Sequence, residues 1–114
     1  MEMTVEELEG GVTLAVLRGR LDVAGAAAIE LKFNATAGAK RALVVDLSGV
    51  SFIASMGMRL LLIAGKTVKA KGGKMALLAP AAEVDAVLRT AGIGGIIPIC
   101  AARDAALTAV AAGP

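Results

Sequence analysis

The stretch Leu43-Val44-Val45-Asp46-Leu47-Ser48-Gly49-Val50-Ser51-Phe52-Ile53-Ala54-Ser55-Met56-Gly57-Met58-Arg59-Leu60-Leu61-Leu62-Ile63-Ala64 constrains this chain more than any other. Residues 41–47 read as a strand, and Leu43, Val44 and Val45 within it form a continuous apolar run that suggests burial on both faces and a central place in a sheet. Ser48-Gly49 reads as a turn, followed by a few extended residues and a long helix that opens at or near Ser55.

At about 100° per residue, Gly57, Leu60, Leu61, Ala64 and Val68 gather on one side of that helix and form its buried stripe. Ser55, Arg59, Lys66 and Lys69 lie opposite, with Leu62 among them and Met56 and Ile63 flanking. Ser55 is thus expected to face water, with Arg59 one turn along. Two roles are open to it. Its hydroxyl can cap the helix by accepting from a first-turn N–H, a contact worth about 1 kcal/mol. It can also be a modification site, because a phosphate there meets unpaired N–H groups and the positive end of the helix dipole. A solvated helix face accounts for the lysines, while a surface mixing Met, Leu, Ile and Arg is compatible with docking a partner.

The remaining segments alternate. Residues 1–9 are acidic and hold a short edge strand, and Gly10-Gly11 turns the chain into a strand at 12–19, giving a hairpin. Asp22 is the N-cap of a helix over 23–37, to which Ala26, Ile29, Leu31 and Phe33 lend apolar surface, and Gly38 ends it with positive φ. After Gly72-Gly73 come a strand at 74–79 closed by Pro80, a helix over 81–90 with Val84, Val87 and Leu88 inward, and the glycine cluster 92–95. A last strand at 96–100 and a last alanine-rich helix at 102–112 complete the chain. The reading is a single α/β domain over residues 1–114: a mixed sheet of about five strands with an N-terminal hairpin and about four helices packed mainly on one face.

Composition removes several functional classes. There is no histidine, and the single cysteine, Cys100, lies in an apolar run as a small buried hydrophobe, so the common nucleophile–base pairs and multi-cysteine metal sites are not available. The carboxylates Asp22, Asp46, Glu83, Asp85 and Asp104 are scattered as caps and surface charges, without catalytic or metal-binding spacing. The glycines at 92–95 precede a strand, the wrong order for a dinucleotide fingerprint. A net charge of +2 and an aromatic content of two Phe, with neither Tyr nor Trp, argue against nucleic-acid recognition. No apolar run reaches the ~18 residues of a membrane span. The acidic N-terminus is not expected to act as a signal peptide, and the expected setting is the cytoplasm. A binding module with no enzymatic activity and no cofactor or metal is the expectation.

Val45-Asp46-Leu47-Ser48-Gly49-Val50-Ser51-Phe52-Ile53-Ala54-Ser55-Met56-Gly57 resembles the signature of the STAS domain, the fold of bacterial anti-sigma factor antagonists. That family reads Asp-Leu-Ser-Gly-Val-x-Phe-Ile-Asp-Ser-Ser-Gly-Leu at this point. The likeness extends through Gly19-Arg20-Leu21-Asp22 and Lys71-Gly72-Gly73 to nearly the full length. Two positions depart from it: Ala54 stands where the family has aspartate, and Met56 where it has serine. The resemblance implies that Ser55 is the phosphate acceptor for a partner that is both anti-sigma factor and serine protein kinase. It implies too that the unmodified form binds that partner, that phosphorylation releases it, and that a metal-dependent serine phosphatase resets the cycle. The expected partner-binding residues are Asp22, Ala54, Ser55, Met56, Gly57, Arg59, Leu62 and Ile63, in a monomer or weak dimer without nucleic-acid or membrane partners. Two other readings stay open. One is a STAS scaffold or subunit of a lipid-transport or stress-signalling complex with no phosphorylation cycle. The other is a small-ligand or nucleotide module using the loop at Asp22 and the helix start at Ser55.

Overall fold

The computed structural model describes residues 1–111. Five strands, β1 (Glu2–Glu7), β2 (Thr13–Leu21), β3 (Ala42–Ile53), β4 (Lys74–Leu78) and β5 (Ile99–Cys100), form one sheet in the order β1-β2-β3-β4-β5. β1 runs antiparallel to β2, and every other pairing is parallel. The sheet is therefore mixed, opens with a hairpin and holds β3 at its centre, as the unbroken apolar run of that strand requires.

Four helices connect and flank it: α1 (Val23–Ala39), α2 (Ser55–Ala70), α3 (Ala82–Thr90) and α4 (Arg103–Val110). Strand alternation divides the apolar residues between two cores. Leu17, Leu43, Val45, Leu47 and Leu77 face α1, α2 and α3, meeting Phe33, Leu61, Val68 and Leu88. Leu14, Val44, Ala76 and Leu78 face the other way, toward Ala106 and Val110 of α4. Three helices thus cover one face and the last covers the other.

Several local expectations are corrected by tertiary partners. Ser48-Gly49 is not a turn: β3 continues to Ile53, because β2 offers a partner all the way along, including Gly49 opposite Arg18 beside a register shift. Gly38 does not end α1 and has no positive φ; the helix runs to Ala39. There the Lys71 ammonium donates to the Ala37 and Lys40 carbonyls at 2.6 and 2.8 Å, supplying from the C-cap of α2 the partners that a glycine cap would have supplied locally. The buried stripe of α1 is Ala26, Ile29, Phe33 and Ala37, at helical spacing, so Leu31 falls off it and is 88 % exposed. On α3, Val84 and Leu88 are buried but Val87 is exposed.

The strand expected at 96–100 is reduced to Ile99–Cys100, since Ile93–Gly95 forms a turn of 3₁₀ helix and Ile96 points to water. Cys100 is half-buried, not enclosed. α4 lies within the expected segment, and Ala112 falls outside the described residues. Among the described residues no helix is long and apolar enough to cross a membrane, and no group of three or more His, Cys, Asp or Glu is placed to hold a metal ion.

Candidate functional site at the C-terminal edge of the parallel strands

β2 and β3 end in register, Leu21 opposite Ile53, and each runs directly into a helix. The two helix starts therefore sit side by side at the sheet edge where open α/β folds place their sites. The Ala54 N–H donates to the Leu21 carbonyl at 3.1 Å, tying the start of α2 to the end of β2.

Close approach here depends on two glycines. A Cβ on Gly57 would lie 2.5 Å from the Leu21 carbonyl oxygen and 2.6 Å from Leu21 Cγ, and one on Gly25 would collide with the Arg20 carbonyl. Both helices thus rest their first turns against β2 with no side chain between.

Asp22 is the N-cap of α1, as expected: its Oδ1 accepts from the Gly25 N–H at 2.8 Å. That hydrogen bond holds its carboxyl below the ordinary value. Burial opposes the shift in part, and the Arg20 guanidinium, 3.4 Å from Oδ2, adds to it. Arg20 also lies over the Phe52 ring at 4.3 Å from its centroid, within cation–π range.

α2 begins differently. Its N-cap is Ala54, which has no side-chain oxygen, and Ser55 is the first helical residue. The capping role considered for Ser55 is not observed: the serine is exposed and the cap position one residue earlier is left to a methyl group. The first intrahelical bond runs from the Met58 N–H to the Ala54 carbonyl at 3.0 Å. The N–H groups of Ser55, Met56 and Gly57 are therefore without helical partners and aim outward beside the Ser55 hydroxyl.

Next to Ser55, a groove of about 140 Å³ runs between α1 and α2, walled by Val23, Ala27, Glu30, Met56, Arg59 and Ile63. Val23, Met56 and Ile63 are 65, 43 and 45 % exposed, an unusual density of apolar surface in water.

Ser55, Met56, Arg59 and Ile63 thus come together as one exposed surface. Gly57 is buried beneath it, and Ala54 is half-buried. Leu62, expected on the exposed face, is half-buried against the core and does not line the groove. Val23, Glu30, Arg20 and Phe52 join the site without having been expected. Neither signal was local: Val23 stands three residues before Ala26, at the spacing of the buried stripe, yet is exposed in the first turn, and the Arg20–Phe52 pair follows from strand register, which no local pattern carries.

The STAS domain family model matches residues 3–106 of the chain. BtrV of Bordetella bronchiseptica, named as an anti-sigma factor antagonist, is 28% identical over 96% of this chain and 94% of its own length. The crystal structure of an anti-sigma factor antagonist from Mycobacterium paratuberculosis is 29% identical and superposes with a TM-score of 0.85, covering 96% of this chain and 92% of that one. The phosphorylated form of the Bacillus cell-fate determinant SpoIIAA shares the fold at 23% identity and a TM-score of 0.71, over 94% of this chain and 97% of that one. With its mixed five-stranded sheet, its paired helix starts at one sheet edge and a family match across most of its length, the chain belongs to the STAS domain family, among relatives named anti-sigma factor antagonists.

Proposed function

We propose that this protein is an anti-sigma factor antagonist whose contact with an anti-sigma factor/serine kinase is switched by phosphorylation of Ser55. The observation that carries the reading is the exposed Ser55 hydroxyl, free of capping duty, at a helix start whose first-turn N–H groups are unpaired and whose flank is an open apolar groove.

In the unmodified form, Met56, Ile63 and Val23 offer apolar contact and Arg59 a charge. Ser55 phosphate adds about −1.5 to −2 charges. In the free protein the helix N-terminus and water accommodate those charges, so the fold is unaffected. In a closed interface the same charges lose water without gaining a counter-charge, at a cost of several kcal/mol. A hundredfold weakening needs only about 2.7 kcal/mol. The cycle draws on ATP in the cytoplasm and is closed by a serine phosphatase. That SpoIIAA exists in a phosphorylated form on the same fold supports the reading.

The test is to incubate the protein with its cognate kinase and ATP and map the label by mass spectrometry. Ser55 is expected to carry it, Ser55→Ala to bind the kinase unlabelled, and Ser55→Asp to bind at least ~100-fold more weakly. Label on another residue, or undiminished binding by Ser55→Asp, overturns the proposal. A constitutive scaffold is the second reading, favoured by Ala54 and Met56 at the two positions that depart from the family signature. It requires that no phosphoprotein forms in cells.

A further inference from the structure

Ser55 and Arg59 are both exposed and stand four residues apart on α2. That spacing sets their Cβ atoms about 5–6 Å from each other on one face of the helix. Helical side chains lean toward the N-terminus, so a residue covers the turn before its own. The reach of Arg59 is thus toward the turn that holds Ser55.

The guanidinium is uncommitted. Arg59 forms no ion pair among the described residues, and Glu30, which lines the same groove from α1, is not paired with it. Residues 47–82 contain no Asp or Glu, so α2 offers Arg59 no acidic neighbour of its own, and Ala54 puts no carboxylate at the cap. At the end of β2 stand Arg20 and Asp22, bound to each other at 3.4 Å, with Arg20 also over Phe52. Glu83 of α3 lines a separate hollow beside Ser51 and Phe52. The cation one turn from Ser55 is therefore Arg59, and it has nothing yet to pair with.

A phosphate on Ser55 supplies about −1.5 to −2 charges and three acceptor oxygens. An anion one turn N-terminal to a cation is the favourable order on a helix, and guanidinium meets phosphate with two parallel hydrogen bonds. We propose that Arg59 changes partners when Ser55 is phosphorylated: in the unmodified protein it faces an acceptor group of the kinase, and in the modified protein it turns onto the phosphate. This rests on the reading of Ser55 as the phosphate acceptor and adds a second cause of release. One guanidinium cannot serve two anions. In a closed interface either the phosphate or the kinase group that Arg59 had faced is left without a cation, which is costly once water is excluded.

The experiment installs phosphoserine at position 55 during translation, so the phosphate is present whether or not a kinase puts it there. ³¹P NMR follows its second ionisation, ordinarily near 6, in wild type, Arg59→Gln, Arg59→Lys and Lys66→Gln. The midpoint is expected about 0.4 pH unit lower in wild type than in Arg59→Gln, the equivalent of one helical ion pair. Arg59→Lys keeps the charge and is expected close to wild type. Lys66→Gln, ~16 Å along the axis and beyond the Debye length of about 8 Å at physiological salt, is expected to leave the midpoint unchanged. In ¹⁵N-labelled wild type the Arg59 Nε–H signal is expected to move downfield when the phosphate is present. Without phosphate, Arg59→Gln is expected to bind the kinase ~10-fold more weakly, the loss of one charge-assisted contact. Equal midpoints in wild type and Arg59→Gln, an equal effect of Lys66→Gln, an Nε–H signal unmoved by the phosphate, or undiminished kinase binding by Arg59→Gln each overturns the proposal. Such a failure removes the role of Arg59 and leaves Ser55 as the acceptor, whereas kinase label mapped to another residue removes the acceptor itself.

Discussion

The Leu21 carbonyl oxygen serves two neighbours at once: it accepts the Ala54 N–H at 3.1 Å and lies 2.5 Å from where a Gly57 Cβ would stand. This one oxygen ties the end of β2 to the start of α2 and sets how closely the two helix N-termini approach. The position of Ser55 beside the α1–α2 groove rests on that contact.

Gly57→Ala is therefore expected to destabilise the domain by ~1–3 kcal/mol, as overpacking against a backbone oxygen and a buried leucine does. Helix propensity alone favours alanine by about 1 kcal/mol, so the sign of the change reports which effect wins. Urea denaturation of the variant against wild type measures it, and a gain in stability would show that α2 can move off β2 freely.

Asp22 carries a pH dependence of definite sign. Its folded carboxyl is held below the ordinary value of 3.8, first by the Gly25 N–H. The ionised cap therefore contributes its stabilisation in full above the unfolded value, and that contribution is lost as pH falls from about there through the lower folded value. Asp22→Asn, which still accepts from an N–H, is expected to keep most of the cap at neutral pH while removing this acid-limb dependence. Asp22→Ala lowers the denaturation midpoint at neutral pH. Denaturant midpoints of the three proteins between pH 2.5 and 7 provide the check.

Leu31 and Phe33 stand two residues apart on α1 and should respond in opposite ways. Phe33 is fully enclosed, so Phe33→Ala is expected to cost ~3–5 kcal/mol. Leu31→Glu removes only exposed apolar surface and should change stability by no more than ~0.5 kcal/mol. Thermal and chemical unfolding of the pair distinguish this assignment from one in which Leu31 belongs to the core.

At the groove, Met56→Glu and Ile63→Glu are each expected to weaken kinase binding by ~10-fold or more, since apolar residues at an interface centre carry a large share of its energy. Their exposure keeps the stability change within ~0.5 kcal/mol. Calorimetric titration with the partner, alongside a melting curve, tests this. Loss of binding accompanied by loss of fold, or binding unchanged in both variants, would remove the groove from the interface.

Much of this architecture was legible in the chain. The apolar run of β3 showed it central, the 3.6-residue spacing of Gly57, Leu60, Leu61, Ala64 and Val68 showed which side of α2 is buried, and Asp22 capped the helix it was expected to cap. These are local properties: periodicity and side-chain chemistry act over one or two turns and survive without knowledge of the neighbours. Where a distant element supplied a partner, the local signal was misleading. Gly49 reads as a turn residue but continues β3 because Arg18 lies opposite it. Gly38 reads as a helix stop but is helical because Lys71 takes over the cap. Leu62 reads as exposed but leans on the core. The sequence by itself determined the order of elements, the buried stripe of α2 and the exposure of Ser55. Only the tertiary structure decided that Ala54 holds the cap position, that Arg20 and Phe52 flank the site, and that β5 is cut to two residues. Strand register and strand length depend on which backbone groups find partners across the sheet, and that pairing is a property of the assembled chain.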